Sequence, residues 1–189
     1  MKLREIKGSV DPSWLKWAKA NTQKARSNLL DIIEYEDGRP FLHVENMTLR
    51  GNNQAFTPPP FQIIVEETLE LNNYDFENSV YGNIKAKTVE MNGVEGDMLK
   101  AVKAIETIKP EYVLIYSKRG TFSNLLAAVD GQNIAQLEIV ITHATPPLTP
   151  IASISTWDKM VLIGNSYKAY SDIFELQQLL VDNGLEDIA

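Results

Sequence analysis

A short basic segment in the middle of the chain has residue types that could bind phosphate. Ser117, Lys118, Arg119, Gly120 and Thr121 lie between an apolar run and a segment with helical periodicity. A strand, a basic glycine turn and a helix N-terminus together form an anion site in doubly wound α/β proteins. The G-x-x-x-x-G-K and G-x-G-x-x-G motifs are both absent, which favours a solvated turn followed by a helix.

The two histidines of the chain, His43 and His143, are candidates for acid–base chemistry. The sequence His143-Ala144-Thr145 resembles one half of the paired H-x-T motif of two-histidine phosphoesterases, whereas His43 is followed by valine and glutamate. The strand repeat described below separates the two histidines by four strand spacings, about 19 Å. They would therefore be too far apart to share one substrate atom.

Other catalytic groups are scattered along the chain. Glu66, Glu67, Glu70 and Glu90 could approach one another across neighbouring strands, and a solvated acidic face explains them better than acid–base catalysis. The chain has no cysteine, which excludes disulfides, thiolate catalysis and cysteine zinc sites, and no metal-ligand spacing stands out. We therefore expect no catalytic residue, metal or cofactor, and favour binding over catalysis.

The elements that would position these residues follow a repeated pattern. Six short segments alternate apolar and variable residues, as strands with one buried face do. Their first apolar positions are Leu49, Leu69, Val89, Val113, Ile139 and Val161, at steps of 20, 20, 24, 26 and 22 residues. Such a period is typical of stacked supersecondary units. Asparagines follow several of these strands, and we expect them to form the corners in left-handed geometry.

The segment Leu69-Glu70-Leu71-Asn72-Asn73 resembles the L-x-L core followed by asparagine of the leucine-rich-repeat family. The resemblance covers about residues 40 to 185 and is closest to an irregular variant of the small bacterial or phage type. It implies an α/β, leucine-rich-repeat-like solenoid of about six parallel strands and an accessory protein that binds partners. The family's additional leucine is missing, with these residues in its place: Glu66, Ala86, Pro110, Gln136 and Asp158. Family functional residues therefore do not transfer.

The N-terminal segment differs from the rest in charge. The chain of 189 residues has a net charge of −7, yet its first 26 residues contain seven basic and two acidic side chains. Asp11 and Pro12 predict the start of a helix that runs to about residue 34, with Trp14 on its apolar side. We expect residues 1–38 to be a basic helical cap on a solenoid formed by residues 39–189. Nucleic acid is expected only at this basic segment, because the acidic body would repel it.

Three later helices are predicted, with Asp97, Thr121 and Ser171 as their N-caps and Gly184 after the last one.

The chain has no apolar run that would form a signal peptide or a membrane span. We therefore expect a cytoplasmic protein that does not contact a membrane.

The outward side of the last three strands is the predicted partner-binding site. In the first three repeats the outward residues are polar, whereas in the last three they are mostly apolar. The site comprises Tyr112, Leu114, Tyr116, Val140, Met160 and Leu162. A contiguous apolar patch on a monomer is usually covered, here by residues 143–151, by a second copy or by another protein. We predict a protein interaction module, with a doubly wound nucleotide- or phosphate-binding protein or phosphoesterase as the alternative.

Overall fold

The computed structural model describes residues 33–36, 39–58, 62–130, 134 and 136–189. These residues form two compact units. Of these, the residues up to Val89 and Lys103–Pro110 form the first unit, and Glu90–Val102 and the described residues from Glu111 to Ala189 form the second. The described residues combine many strands with a few short helices, so the α/β part of the fold prediction is confirmed.

The first unit is built mainly of strands. These are β1 (Ile33–Glu36), β2 (Arg39–Val44), β3 (Met47–Arg50), β4 (Gln62–Asn72) and the beginning of β5 (Ile84–Asp97). β1 and β2 form an antiparallel pair. β2 pairs in parallel with the first part of β4, and β3 pairs in parallel with the last part of β4. The helix α1 (Val102–Ile108) adds buried Ala104, Ile105 and Ile108 to this unit.

The second unit continues from β5 in sequence order. Its strands are β6 (Tyr112–Thr121), β7 (Gln136–Thr142), β8 (Pro150–Ser155), β9 (Met160–Ile163) and β10 (Ser166–Ala169). β6 and β7 are parallel, whereas β7, β8, β9 and β10 pair successively antiparallel. The helices are a 3₁₀ turn (Met98–Ala101), α2 (Ser123–Val129) and α3 (Ile173–Asp182). Their buried residues, among them Leu125, Leu176 and Leu180, pack with the apolar strand positions in the core.

All six predicted segments contribute to strands, and the first apolar position of each is buried as expected. The repeat predicts that these first apolar positions stack directly on one another, and the observed register differs from that by two residues. Leu49 lies opposite Leu71 instead of Leu69, and Ile115 lies opposite Ile139. A shift of two residues keeps every side chain on the same face of a strand, so the predicted core residues are correct although their partners are not.

The prediction of six parallel strands is wrong at its C-terminal end. β9 is antiparallel and pairs with β8, whose first two residues belong to the segment 143–151 that is predicted to cover the strands. The four residues 156–159 connect β8 to β9, and a parallel crossover would need a dozen or more. A two-residue turn at Gly164 and Asn165 then forms the β9–β10 hairpin, with Gly164 at φ 60°.

The predicted N-terminal helix lies outside the described residues except for Ile33 and Glu34, which belong to β1.

Asp97 is confirmed as an N-cap, because its carboxylate accepts a hydrogen bond from the Leu99 amide at 2.9 Å. Thr121 is wrong as a cap, since it ends β6 and α2 begins after Phe122. The cap of α3 is Asp172, one residue after the predicted Ser171. No helix in the described residues is long and apolar enough to cross a membrane.

Candidate functional site

The structure brings all six predicted partner-binding residues to one side of the strands in the second unit. Along β6 the buried positions are Val113, Ile115 and Ser117, so Tyr112, Leu114 and Tyr116 project from the opposite side. The backbone register places Tyr116 opposite Val140 and Leu114 opposite Glu138. We call this side of β5 to β10 within the second unit the outer strand face.

The antiparallel strands extend this face. Ser153 of β8 lies opposite both Val140 and Leu162, and Tyr167 of β10 lies opposite Leu162. A row of side chains therefore runs across five strands from Tyr116 to Tyr167. A second row contains Leu114, Glu138, Ser155, Met160 and Ala169. Tyr167 was not among the predicted residues, because the hairpin that carries it was not recognised.

The outer strand face remains accessible at its aromatic residues. Tyr112 is 37% exposed, Tyr116 36% and Tyr167 70%. Leu114, Met160 and Leu162 are half-buried, and Val140 is buried, with 9% of its surface exposed. The predicted covering loop has exposed side chains from residue 143 to residue 150. The face thus combines exposed rings with partly buried aliphatic side chains, a composition common at the centre of protein interfaces.

Two carboxylates belong to this face beside Tyr116. Burial raises the pKa of the Tyr116 phenol, and the nearby negative charges of Glu90 and Glu138 raise this pKa further. The Glu138 carboxylate accepts a long hydrogen bond of 3.4 Å from the Ser153 hydroxyl, and the Glu90 carboxylate accepts one of 3.3 Å from the Asn92 amide. Neither carboxylate forms an ion pair with another described residue.

The corresponding side of the first unit is polar. The Glu70 carboxylate accepts a hydrogen bond of 3.2 Å from the Thr48 hydroxyl and one of 2.8 Å from the Asn72 amide. The backbone register places Thr48 opposite Glu70 across the β3–β4 ladder. These polar side chains are thus engaged with one another, which agrees with the predicted contrast between early and late repeats.

The basic segment of residues 117–121 lies within β6 and does not form a turn after it. The Arg119 guanidinium forms an ion pair with Asp187, with its Nε 2.6 Å from the carboxylate. Gly120 is tightly enclosed, because a Cβ there would lie 2.3 Å from the Ser117 hydroxyl oxygen. The following helix has seven residues and no side-chain cap. The segment therefore lacks the open glycine turn of a phosphate site.

The two histidines have separate surroundings. His43, in the first unit, has its Nε2 atom 2.6 Å from a carboxylate oxygen of Glu66. His143, in the second unit, is exposed, and its backbone amide donates to the Thr149 carbonyl. Within the described residues, no group of three or more histidine and acidic side chains could hold a metal ion.

A cleft of about 530 Å³ lies at the beginning of α3. Its apolar walls come from separate elements and include Leu126, Val129, Leu137 and Phe174. Polar groups at its edge bond to one another, since the Lys159 ammonium donates to the Ser171 carbonyl at 3.2 Å. Sequence reasoning missed this cleft, because no local pattern reveals walls that meet only in the fold.

Comparisons with protein-family models, curated proteins and solved structures found no match for this chain. The resemblance to leucine-rich repeats therefore stays a prediction from the sequence.

Proposed function

We propose that the protein is a non-enzymatic interaction module that binds another protein through the outer strand face. One observation carries the proposal: Tyr112, Leu114, Tyr116, Val140, Met160 and Leu162, chosen by type and spacing, lie on one accessible side of the second unit. Large apolar patches are uncommon on monomers unless they serve an interface. Exposed aromatic rings contribute large contact area with little loss of side-chain entropy.

The proposal includes the finer interpretation of the strands as an irregular leucine-rich-repeat-like solenoid with an N-terminal helical cap. The repeated spacing of the strands supports it, as does the order β5, β6, β7 in the second unit. Two asparagine corners support it as well, because Asn52, Asn53 and Asn73 adopt the left-handed conformation.

The alternative is a doubly wound nucleotide- or phosphate-binding protein or phosphoesterase. It would place a ligand at a switch in strand order near Gly120. β5, β6 and β7 instead follow one another in sequence order, and Arg119 is already paired with Asp187. The outer strand face therefore has the stronger support.

The test compares proteins captured from the native host by the wild type and by Leu114→Arg, with Val181→Arg as a matched control. Val181 is 45% exposed on α3, so it receives the same new charge away from the face. We expect Leu114→Arg to lose its specific partner while Val181→Arg keeps it. Tyr112→Ala, at an exposed position, should also weaken capture without changing the melting temperature.

Two outcomes would contradict the proposal. If all variants capture the same proteins as the wild type, the face does not bind them. If Leu114→Arg alone unfolds, the same chain covers this position, because a buried guanidinium is strongly destabilising. Sedimentation of each variant separates loss of a foreign partner from loss of self-association.

A further inference from the structure

The carboxylates beside Tyr116 indicate which kind of partner fits the outer strand face. Glu138 lies opposite Leu114 in the ladder, and Tyr116 lies two residues further along β6, at the next position on the same face. Glu90 approaches the same ring from β5. An aromatic ring between two carboxylates, surrounded by aliphatic side chains, attracts a cation through its π-face and through the charges.

These carboxylates can still accept hydrogen bonds from a cationic ligand. Within the described part of the chain, each accepts one long hydrogen bond from a neutral side chain, and neither pairs with a lysine or arginine. Among the outward positions of β6, Lys118 is basic, and it lies two residues beyond Tyr116, opposite Thr142. Burying both carboxylates against an apolar partner would cost desolvation without compensation.

On this basis we propose that the outer strand face binds a protein segment in which a lysine or arginine lies between apolar side chains, its cation seated over Tyr116 between Glu90 and Glu138. This inference rests on the proposed function and names the partner class. The apolar side chains of the segment would contact Leu114 and Leu162. The net charge of −7 would also speed the approach of a basic partner at low salt.

A selection of phage-displayed random twelve-residue peptides on the full-length wild-type protein supplies the probe. We expect the enriched peptides to contain lysine or arginine flanked by aliphatic or aromatic residues. The most enriched peptide is then synthesised with a fluorophore, and its affinity is measured by anisotropy. Glu138→Gln should weaken binding about fivefold, as loss of one carboxylate partner at a partly exposed site does.

The control is Glu186→Gln, an exposed carboxylate of the second unit outside the strands, which should leave affinity unchanged. A peptide with its basic residue replaced by glutamine should bind wild type and Glu138→Gln equally. If this replacement lowers the peptide's affinity for both proteins by the same factor, the cation does not contact Glu138. Wild-type binding should also weaken as salt rises.

A neutral truncation, Leu162→Ala, separates failure of this inference from failure of the proposed function. If Leu162→Ala weakens binding while Glu90→Gln and Glu138→Gln do not, the face binds peptides but selects no cation, and the inference is overturned. If Leu162→Ala also has no effect, or if no peptide is enriched, both proposals fail.

Discussion

Gly51 follows β3 and lies directly against the ring of Tyr74. A Cβ at this position would be 2.3 Å from the Tyr74 Cδ1 atom, far below a van der Waals contact. Tyr74 is itself held in an aromatic cluster, with its ring 5.2 Å from that of Phe56 in an edge-on arrangement. The absence of a side chain at Gly51 is therefore a packing requirement of the first unit.

Gly51→Ala should lower the free energy of unfolding by about 2 kcal/mol, because the ring must shift within a packed cluster. Urea unfolding measures this change. In a Tyr74→Ala background the same substitution should cost much less, since the obstructing ring is gone. An equal cost in both backgrounds would mean that the close approach of Gly51 and Tyr74 is not its cause.

Some backbone corners could be predicted from residue type and others could not. Asn52, Asn53 and Asn73 have positive φ, as expected, because a short amide side chain tolerates the left-handed region. Lys109, Arg119 and Lys159 also have positive φ, which could not be predicted from their residue types. Lysine and arginine have no intrinsic preference for this conformation, so the surrounding fold imposes it.

At the scale of elements, α3 shows how its first turn is stabilised. The Asp172 carboxylate accepts a hydrogen bond from the Glu175 amide at 2.8 Å. The Glu175 carboxylate in turn accepts hydrogen bonds from the Ser171 amide at 2.8 Å and from the Ser171 hydroxyl. This arrangement resembles a capping box, except that the Glu175 side chain reaches back to the residue before the N-cap and not to the N-cap itself.

The hydrogen bonds from the Ser171 hydroxyl and amide lower the pKa of the Glu175 carboxyl below its ordinary value of 4.5. A carboxyl with a lowered folded-state pKa adds stability above its unfolded-state pKa, and this stability is lost as pH falls through the folded-state value. We therefore expect wild type to lose more stability than Glu175→Gln on acidification below 4.5. Parallel pH profiles of urea stability would contradict this role for Glu175.

The strands that could be predicted are those with apolar alternation. Some are long, since β4, β5 and β6 contain 11, 14 and 10 residues, and others are short, since β3 and β9 contain four each. β10 has four mostly exposed residues, so it lacks the apolar alternation that marks a half-buried strand. The direction of β9 could not be read from its own residues, because direction depends on the length of the connection before it.

At the scale of the whole molecule, the six predicted residues share one face despite the errors in topology, and the reason is geometrical. Successive side chains of a strand point to opposite faces, so the residues of one face are the same whatever the direction or partner of the strand. Register errors of two residues and a reversed β9 both leave Leu114, Val140 and Leu162 on the outer strand face. What the sequence could not supply was the contribution of Tyr167, or the position of Glu90 and Glu138 beside Tyr116.

The measurement that tests the central claim most directly is amide chemical-shift mapping of the isotope-labelled full-length protein, titrated with the most enriched peptide from the selection. We predict that the largest shifts occur at Leu114, Tyr116, Val140 and Leu162, on β6, β7 and β9. The first residues of α3 should stay unchanged. Shifts concentrated at Ile173 and Phe174, beside the cleft at the beginning of α3, with none on the outer strand face, would contradict the proposed function.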